Sequence, residues 1–311
     1  MLSPGAAIDR LAEPGCSRRE DLIIGSKVAN AIPTQPLGRR IVTAAQIVAR
    51  RAGPPQSEPL VLIHGIGASG RIWDPITAGL AVDHDVIALD LPGFGESAPF
   101  PDGVASVPAL SDAVARTMDD LGLERAHLAG NSMGGWIALE LARRERALSV
   151  AAFSPAGAYN WAEALWGRVV GALIRLGPAL LKPVLPRLLR GALGRRALLW
   201  STMARGERIS PEQAAALVAT LTRAPGFWSA WRWLFAHRLE PLPRLEIPIV
   251  IAWGTRDRLL LPRQAKRFAE LVPTARPIEL AGLGHVPMSD DPEVVAAAIR
   301  SAVNASHERV E

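Results

Sequence analysis

The chain of 311 residues has one cysteine, Cys16. A single thiol cannot close an internal disulfide, and no Cys-x-x-Cys pair or Cys/His cluster marks a metal site, so no disulfide and no metal is expected. Nothing around Cys16 reads as a strand-turn-helix, which argues against a nucleophilic thiol. The sequence also lacks a run of about 18 apolar residues able to span a bilayer. The nearest candidate, residues 169–181, is broken by Arg175 and Pro178. Residues 1–36 mix charges, Gly and Pro without the uninterrupted apolar segment of a secretion signal. A cytoplasmic location is therefore expected. There is no internal repeat, no low-complexity tract and no nucleic-acid-binding motif, so nucleic acid is not an expected partner.

What is present suffices for a large core, since 49% of the residues are hydrophobic. The net charge of +5 is unevenly placed. Residues 156–240 carry 12 basic residues (11 Arg plus Lys182) against 4 Glu, and hold six of the nine tryptophans. The rest of the chain is slightly acidic. This segment reads as a unit of its own, helical and punctuated by prolines.

Around it, residues 38–48 and their continuation suit two short antiparallel strands. Continuous apolar runs at 59–65, 86–90, 126–130, 148–153 and 247–253 suit strands covered on both faces, and 277–280 suits a last strand. Helical patterns follow at 107–121, 134–144, 262–271 and 292–306. Alternating strands and helices predict an α/β fold with a parallel sheet. The domain division expected is an extension at 1–36, a core at 37–155 and 241–311, and a helical cap at 156–240. That cap should emerge at the carboxyl edge of the sheet, where ligands of such sheets bind.

The strongest chemical signal is Gly130-Asn131-Ser132-Met133-Gly134-Gly135, between a buried strand and a helix. A serine at such a turn is held in strained backbone geometry with its hydroxyl presented at the helix N-terminus. The plain alternative is a helix-capping serine. A serine nucleophile needs a base that is itself oriented. Asp257, in Gly254-Thr255-Arg256-Asp257, and His285, in Gly284-His285-Val286-Pro287, each lie just beyond a strand end. Singly, each reads equally well as a turn aspartate and a surface histidine. Together, in the order Ser, Asp, His, they read as nucleophile, orienting acid and base. The turn His64-Gly65-Ile66-Gly67 offers a second backbone donor. The N–H groups of Ile66 and Met133 are the expected oxyanion hole, the alternative being merely a tight glycine turn. Of the other histidines, His64 comes too early to be the base, and His84 and His127 border strands as structural residues. His237 lies in the cap, packed or touching substrate, and His307 in a fraying tail.

These motifs, with Asp90-Leu91-Pro92-Gly93-Phe94-Gly95-Glu96-Ser97, resemble the α/β-hydrolase superfamily over residues 37–306. The resemblance implies a mostly parallel eight-stranded sheet flanked by helices, a cap after the sixth strand, and a triad mechanism without cofactor. Haloalkane dehalogenases and most epoxide hydrolases carry aspartate where this chain has Ser132, which argues against both. The elbow resembles that of the meta-cleavage C–C hydrolases, but those usually carry Trp after the histidine, where Val286 stands here. The expected activity is that of a carboxylesterase-like serine hydrolase acting on an apolar, ester-like small molecule. A C–C hydrolase, a lactonase, a thioesterase and a non-catalytic ligand-binding protein on the same scaffold are the alternatives. The cap's arginines have three readings: a solvated surface, an attractor of anionic substrates, or peripheral contact with an anionic membrane.

Overall fold

The computed structural model describes residues 38–43 and 46–308. The extension assigned to residues 1–36, and Cys16 within it, lie outside them. The chain enters through β1 (Arg39–Val42) and β2 (Val48–Ala52), an antiparallel pair. It continues through β3 (Pro59–Ile63), α1 (Asp74–Leu80), β4 (Asp85–Asp90) and α2 (Val107–Asp120). Then follow β5 (Ala126–Asn131), α3 (Met133–Arg143) and β6 (Ala147–Phe153). Five helices separate β6 from the next strand: α4 (Trp161–Leu180), α5 (Leu185–Arg190), α6 (Ala192–Leu198), α7 (Pro211–Arg223) and α8 (Phe227–Leu234). The chain ends with β7 (Ile249–Gly254), α9 (Gln264–Leu271), β8 (Ala275–Leu280), α10 (Pro287–Asp290) and α11 (Pro292–His307). The strands form one open sheet in the order β1-β2-β4-β3-β5-β6-β7-β8, parallel from β4 to β8.

The continuous apolar runs follow from burial on both faces. In β3, Leu60 and Leu62 pack in one layer with Leu80 of α1 and Ile299 of α11, while Val61 and Ile63 pack in the other with Leu110 of α2 and Ile137 of α3. Each such side chain contributes about 2 kcal/mol by leaving water. That outweighs the roughly 1 kcal/mol span of strand propensity, so two-sided burial decides the conformation. Sequence periodicity missed α1, whose seven residues are too few to show a helical repeat. Its start, Asp74-Pro75, uses proline where a helix tolerates it. The insertion is less broken than its prolines suggest. The helix α4 runs twenty residues with Pro178 buried in its last turn, and starts with a capping box between Asn160 and Glu163.

Three histidines outside the expected base are buried: His64, His84 and His127. Burial holds all three rings below the usual imidazole range, against the upward pull of Asp90 on His64, of Asp83 and Glu58 on His84, and of Glu58 on His127. The unfolded chain takes up protons near pH 6.5 that the folded one refuses, so stability is full above that pH and falls as pH drops through it. Asp74 acts in the opposite sense: burial pushes its carboxyl up to about 6, against Arg71, so its contribution is lost as pH rises toward 6. Urea midpoints are expected to fall between about pH 7.5 and 6, as the unfolded chain accepts protons that the buried rings resist. In His127→Gln the fall should be shallower; an unchanged slope would contradict this account. His307 is not in a fraying tail. It ends α11, and its Nε2 lies 2.7 Å from the Glu58 carboxylate, which also meets His127 Nε2 at 3.2 Å.

Candidate active site

Parallel registry brings the ends of β3, β5 and β6 level, with Ile63 opposite Gly130 and Asn131 opposite Phe153. His64, Ser132 and Ser154 thus leave the sheet side by side. Ser132 has φ 57° and ψ −116°, a left-handed strained conformation at the junction of β5 and α3. Its backbone is pinned: its N–H donates to Phe153 O at 2.9 Å, and its carbonyl accepts from Gly135, Trp136 and Ala156. The glycines flanking this turn serve close approach. A Cβ on Gly130 would lie 2.2 Å from Gly134 O, and one on Gly134 would lie 2.2 Å from Ile63 O.

Asp257 and His285, twenty-eight residues apart, meet at the same edge: His285 Nδ1 donates to Asp257 Oδ2 at 2.8 Å. The other carboxylate oxygen accepts the N–H groups of Leu259 and Leu260, both at 2.9 Å. With Nδ1–H so engaged, Nε2 of His285 is left with its lone pair. Asn131 donates to the His285 carbonyl at 2.9 Å, tying that loop to the serine turn. Ser132 and His285 line one cavity of about 420 Å³, whose walls are mainly apolar residues of α4, α6, α7 and α8. The Ser132 hydroxyl makes no hydrogen bond to the His285 ring; the contact between nucleophile and base tightens in many enzymes only with substrate bound.

Ile66 lines the cavity beside Ser132. Among the described residues, neither the Ile66 N–H nor the Met133 N–H finds an acceptor. Gly65 permits this proximity, since a Cβ there would lie 3.0 Å from Ser132 Cβ. His64 braces the turn from below. Its Nε2 accepts the Leu91 N–H at 3.0 Å, so its Nδ1 carries the proton and donates to Gly65 O at 2.7 Å. Asp90 braces it from the side, accepting from Gly70 N–H and Glu96 N–H at 2.7 and 2.8 Å. The sequence motif containing Asp90 carried no such role by itself.

A residue that sequence reasoning missed is Asp290. Its buried carboxylate accepts from Gly284 N–H at 2.8 Å, next to His285, and from Ala204 and Arg205 N–H at 2.9 and 2.8 Å in the insertion. Burial raises its pKa despite these donors. No local pattern signals a carboxylate whose partners lie up to 86 residues away. Asp290→Ala leaves three N–H groups without an acceptor. It is expected to cost about 3 kcal/mol in denaturant unfolding and to lower turnover by loosening the His285 loop. Full stability in that variant would show the three bonds to be dispensable. His237 stacks on Trp233 at 4.2 Å between ring centroids and does not line the cavity. Of the six tryptophans in the insertion, Trp231 and Trp200 line it.

Residues 60–298 match the model of the Alpha/beta hydrolase family. The chain is 29% identical over 203 residues to epoxide hydrolase EphH of Mycobacterium tuberculosis (strain ATCC 25618 / H37Rv), an alignment covering 64% of this chain and 95% of that protein. It is 31% identical over 241 residues to the dihydrolipoyllysine-residue acetyltransferase component of the acetoin cleaving system of Pseudomonas putida. That match takes in 76% of this chain but 61% of the relative's length. Among solved structures it is similar to a thermophilic esterase from Thermogutta terrifontis, with a TM-score of 0.67, 26% identity, and 86% and 98% of the two chains covered. With the open eight-stranded sheet and the serine turn at the end of its fifth strand, the match over residues 60–298 places this chain in the alpha/beta hydrolase family.

Proposed function

We propose that the protein is a serine hydrolase that cleaves a carboxylic ester of an apolar small molecule through an acyl-enzyme on Ser132. The observation that carries this reading is the convergence of a strained serine and a carboxylate-oriented imidazole on one apolar cavity. The esterase neighbour agrees with it. His285 Nε2 takes the Ser132 proton as Oγ attacks the ester carbonyl, and Asp257 stabilises the imidazolium. The developing oxyanion is received by the N–H groups of Ile66 and Met133. Collapse breaks the ester C–O bond, the alcohol leaves with the proton from His285, and a water deprotonated by His285 releases the acid. The inserted helices α4–α8 act as the cap that shapes the acyl pocket. Although EphH is an epoxide hydrolase by name, position 132 here offers a hydroxyl where opening an epoxide through an ester intermediate needs a carboxylate.

A fluorophosphonate probe followed by peptide mass spectrometry tests the reading. Modification is expected at Ser132 and nowhere else, and is expected to be blocked in His285→Ala. Across a series of p-nitrophenyl esters, kcat/KM is expected to rise roughly fourfold per added methylene, about 0.8 kcal/mol each, until the cavity is filled. An unlabelled Ser132 in folded protein would overturn the proposal.

A further inference from the structure

The helix α4 is apolar on two faces. One packs inward: a Cβ on Gly167 would lie 2.3 Å from the Phe235 ring, and one on Gly171 would lie 2.4 Å from Trp231 Nε1. These two glycines, one turn apart, seat the helix on α8 and fix its rotation. The opposite face then points outward, and it carries Trp161, Leu165, Val169, Leu173, Leu176 and Leu180, between 48% and 81% exposed. At 3.6 residues per turn they occupy one arc of about 120°. A contiguous exposed apolar stripe of this length marks an interaction surface, and no described residue covers this one.

Charge is arranged to match. From residue 164 to 206 there is no Asp or Glu, against eight Arg and Lys. Lys182, Arg187, Arg190 and Arg196, in the segment that follows α4, are exposed and form no ion pair among the described residues. The remaining cations of the segment include structural ones: Arg195 is buried, donating to three backbone carbonyls, and Arg205 faces Asp291. Four unpaired cations in the same insertion as exposed Trp and Leu are what an anionic bilayer surface attracts and then holds by apolar insertion. Although α4 is twenty residues long, no described helix is long and apolar enough to cross a membrane, so any bilayer contact of α4 would run along its side. The cavity reaches this same face. Leu173 of the stripe also lines the cavity, as do Leu181 and Trp200, which are both partly exposed.

We propose that the outer face of α4–α6 docks on an anionic lipid bilayer, with the mouth of the Ser132 cavity turned to the lipid, so that acyl substrates enter from the membrane rather than from water. Docking stands on the surface alone; entry of an acyl substrate rests on the function proposed above.

Co-sedimentation of the full chain with vesicles tests docking without reading turnover, so a failure of docking and a failure of the esterase reading are separable. Vesicles of phosphatidylcholine with 30% phosphatidylglycerol are compared with phosphatidylcholine alone. Binding is expected to the anionic vesicles, weakened by salt, and weak to the neutral ones. Lys182→Gln/Arg187→Gln/Arg190→Gln is expected to lower partitioning about a hundredfold, at roughly fivefold for each cation near an anionic surface. Trp161→Ser/Leu165→Ser/Leu180→Ser is expected to lower it at least tenfold. None of these six residues lines the cavity, so hydrolysis of a water-soluble ester should be unchanged in both variants, which also confirms that they fold. No binding to either vesicle, or equal binding to both, would overturn the proposal. So would a concentration-dependent dimer in sedimentation velocity that the Ser variant abolishes, since a second copy would then cover the stripe.

Discussion

Ser132→Ala is expected to lower kcat/KM by about 10⁴- to 10⁶-fold while leaving the unfolding midpoint within error of the wild type. The size follows from the role proposed for Ser132, nucleophile in a unit that works together. The unchanged stability follows from the structure. The Ser132 side chain makes no hydrogen bond among the described residues, so its loss leaves no buried partner unsatisfied. The strain at φ 57° belongs to the backbone and is shared by alanine. If serine and histidine act as one device, Ser132→Ala/His285→Ala should be no slower than either single variant. Multiplicative losses in the double variant would show that the two residues act separately. Turnover that survives Ser132→Ala would remove the acyl-enzyme altogether.

Gly134→Ala is expected to destabilise the fold by about 3 kcal/mol, although helix propensity alone predicts the opposite sign. In an exposed helix, Gly to Ala gains up to about 1 kcal/mol. At Gly134 the added carbon would meet Ile63 O at 2.2 Å and His64 O at 2.6 Å, both backbone atoms that cannot rotate aside. The helix α3 must then retreat from β3, and overpacking of this kind costs about 1–3 kcal/mol or more. Gly79→Ala is the control. It also lies in a helix, α1, but its new carbon would find only the Arg300 guanidinium at 3.7 Å. It is expected to gain about 0.5–1 kcal/mol. Urea midpoints of the two variants should therefore move in opposite directions; movement in the same direction would show that contact at Gly134 is not what requires glycine there. Because the carbonyls of Ile63 and His64 lead directly into Ile66, Gly134→Ala should also lose activity out of proportion to the fraction unfolded at 25 °C.

The fold was legible where the signal is local. The runs in β3, β4, β5, β6 and β7 are apolar because both faces of a central strand are covered. That burial leaves its mark on consecutive residues, which is why the strands could be drawn before their neighbours were known. The order of Ser132, Asp257 and His285 was legible for a similar reason. Each sits one turn beyond a strand, so locating the strands placed all three at one edge. The 2.8 Å contact between His285 and Asp257 was then brought about by the pairing of β7 and β8 and the turns that follow.

Other features depend on residues that meet only after folding. Asp290 reaches Ala204 across 86 positions, and His64 reads Leu91 across 27. Hydrogen bonds of that span leave no periodicity behind. The sequence by itself determined an alternating α/β chain, a serine between glycines at a strand end, and a cationic, tryptophan-rich insertion. It did not determine which side of α4 faces outward, because both sides are apolar and hydrophobic periodicity cannot distinguish them. Tertiary structure decided that through two glycines. Without a Cβ, Gly167 and Gly171 admit Phe235 and Trp231 to the helix backbone, and the side that packs closest is the side that is buried.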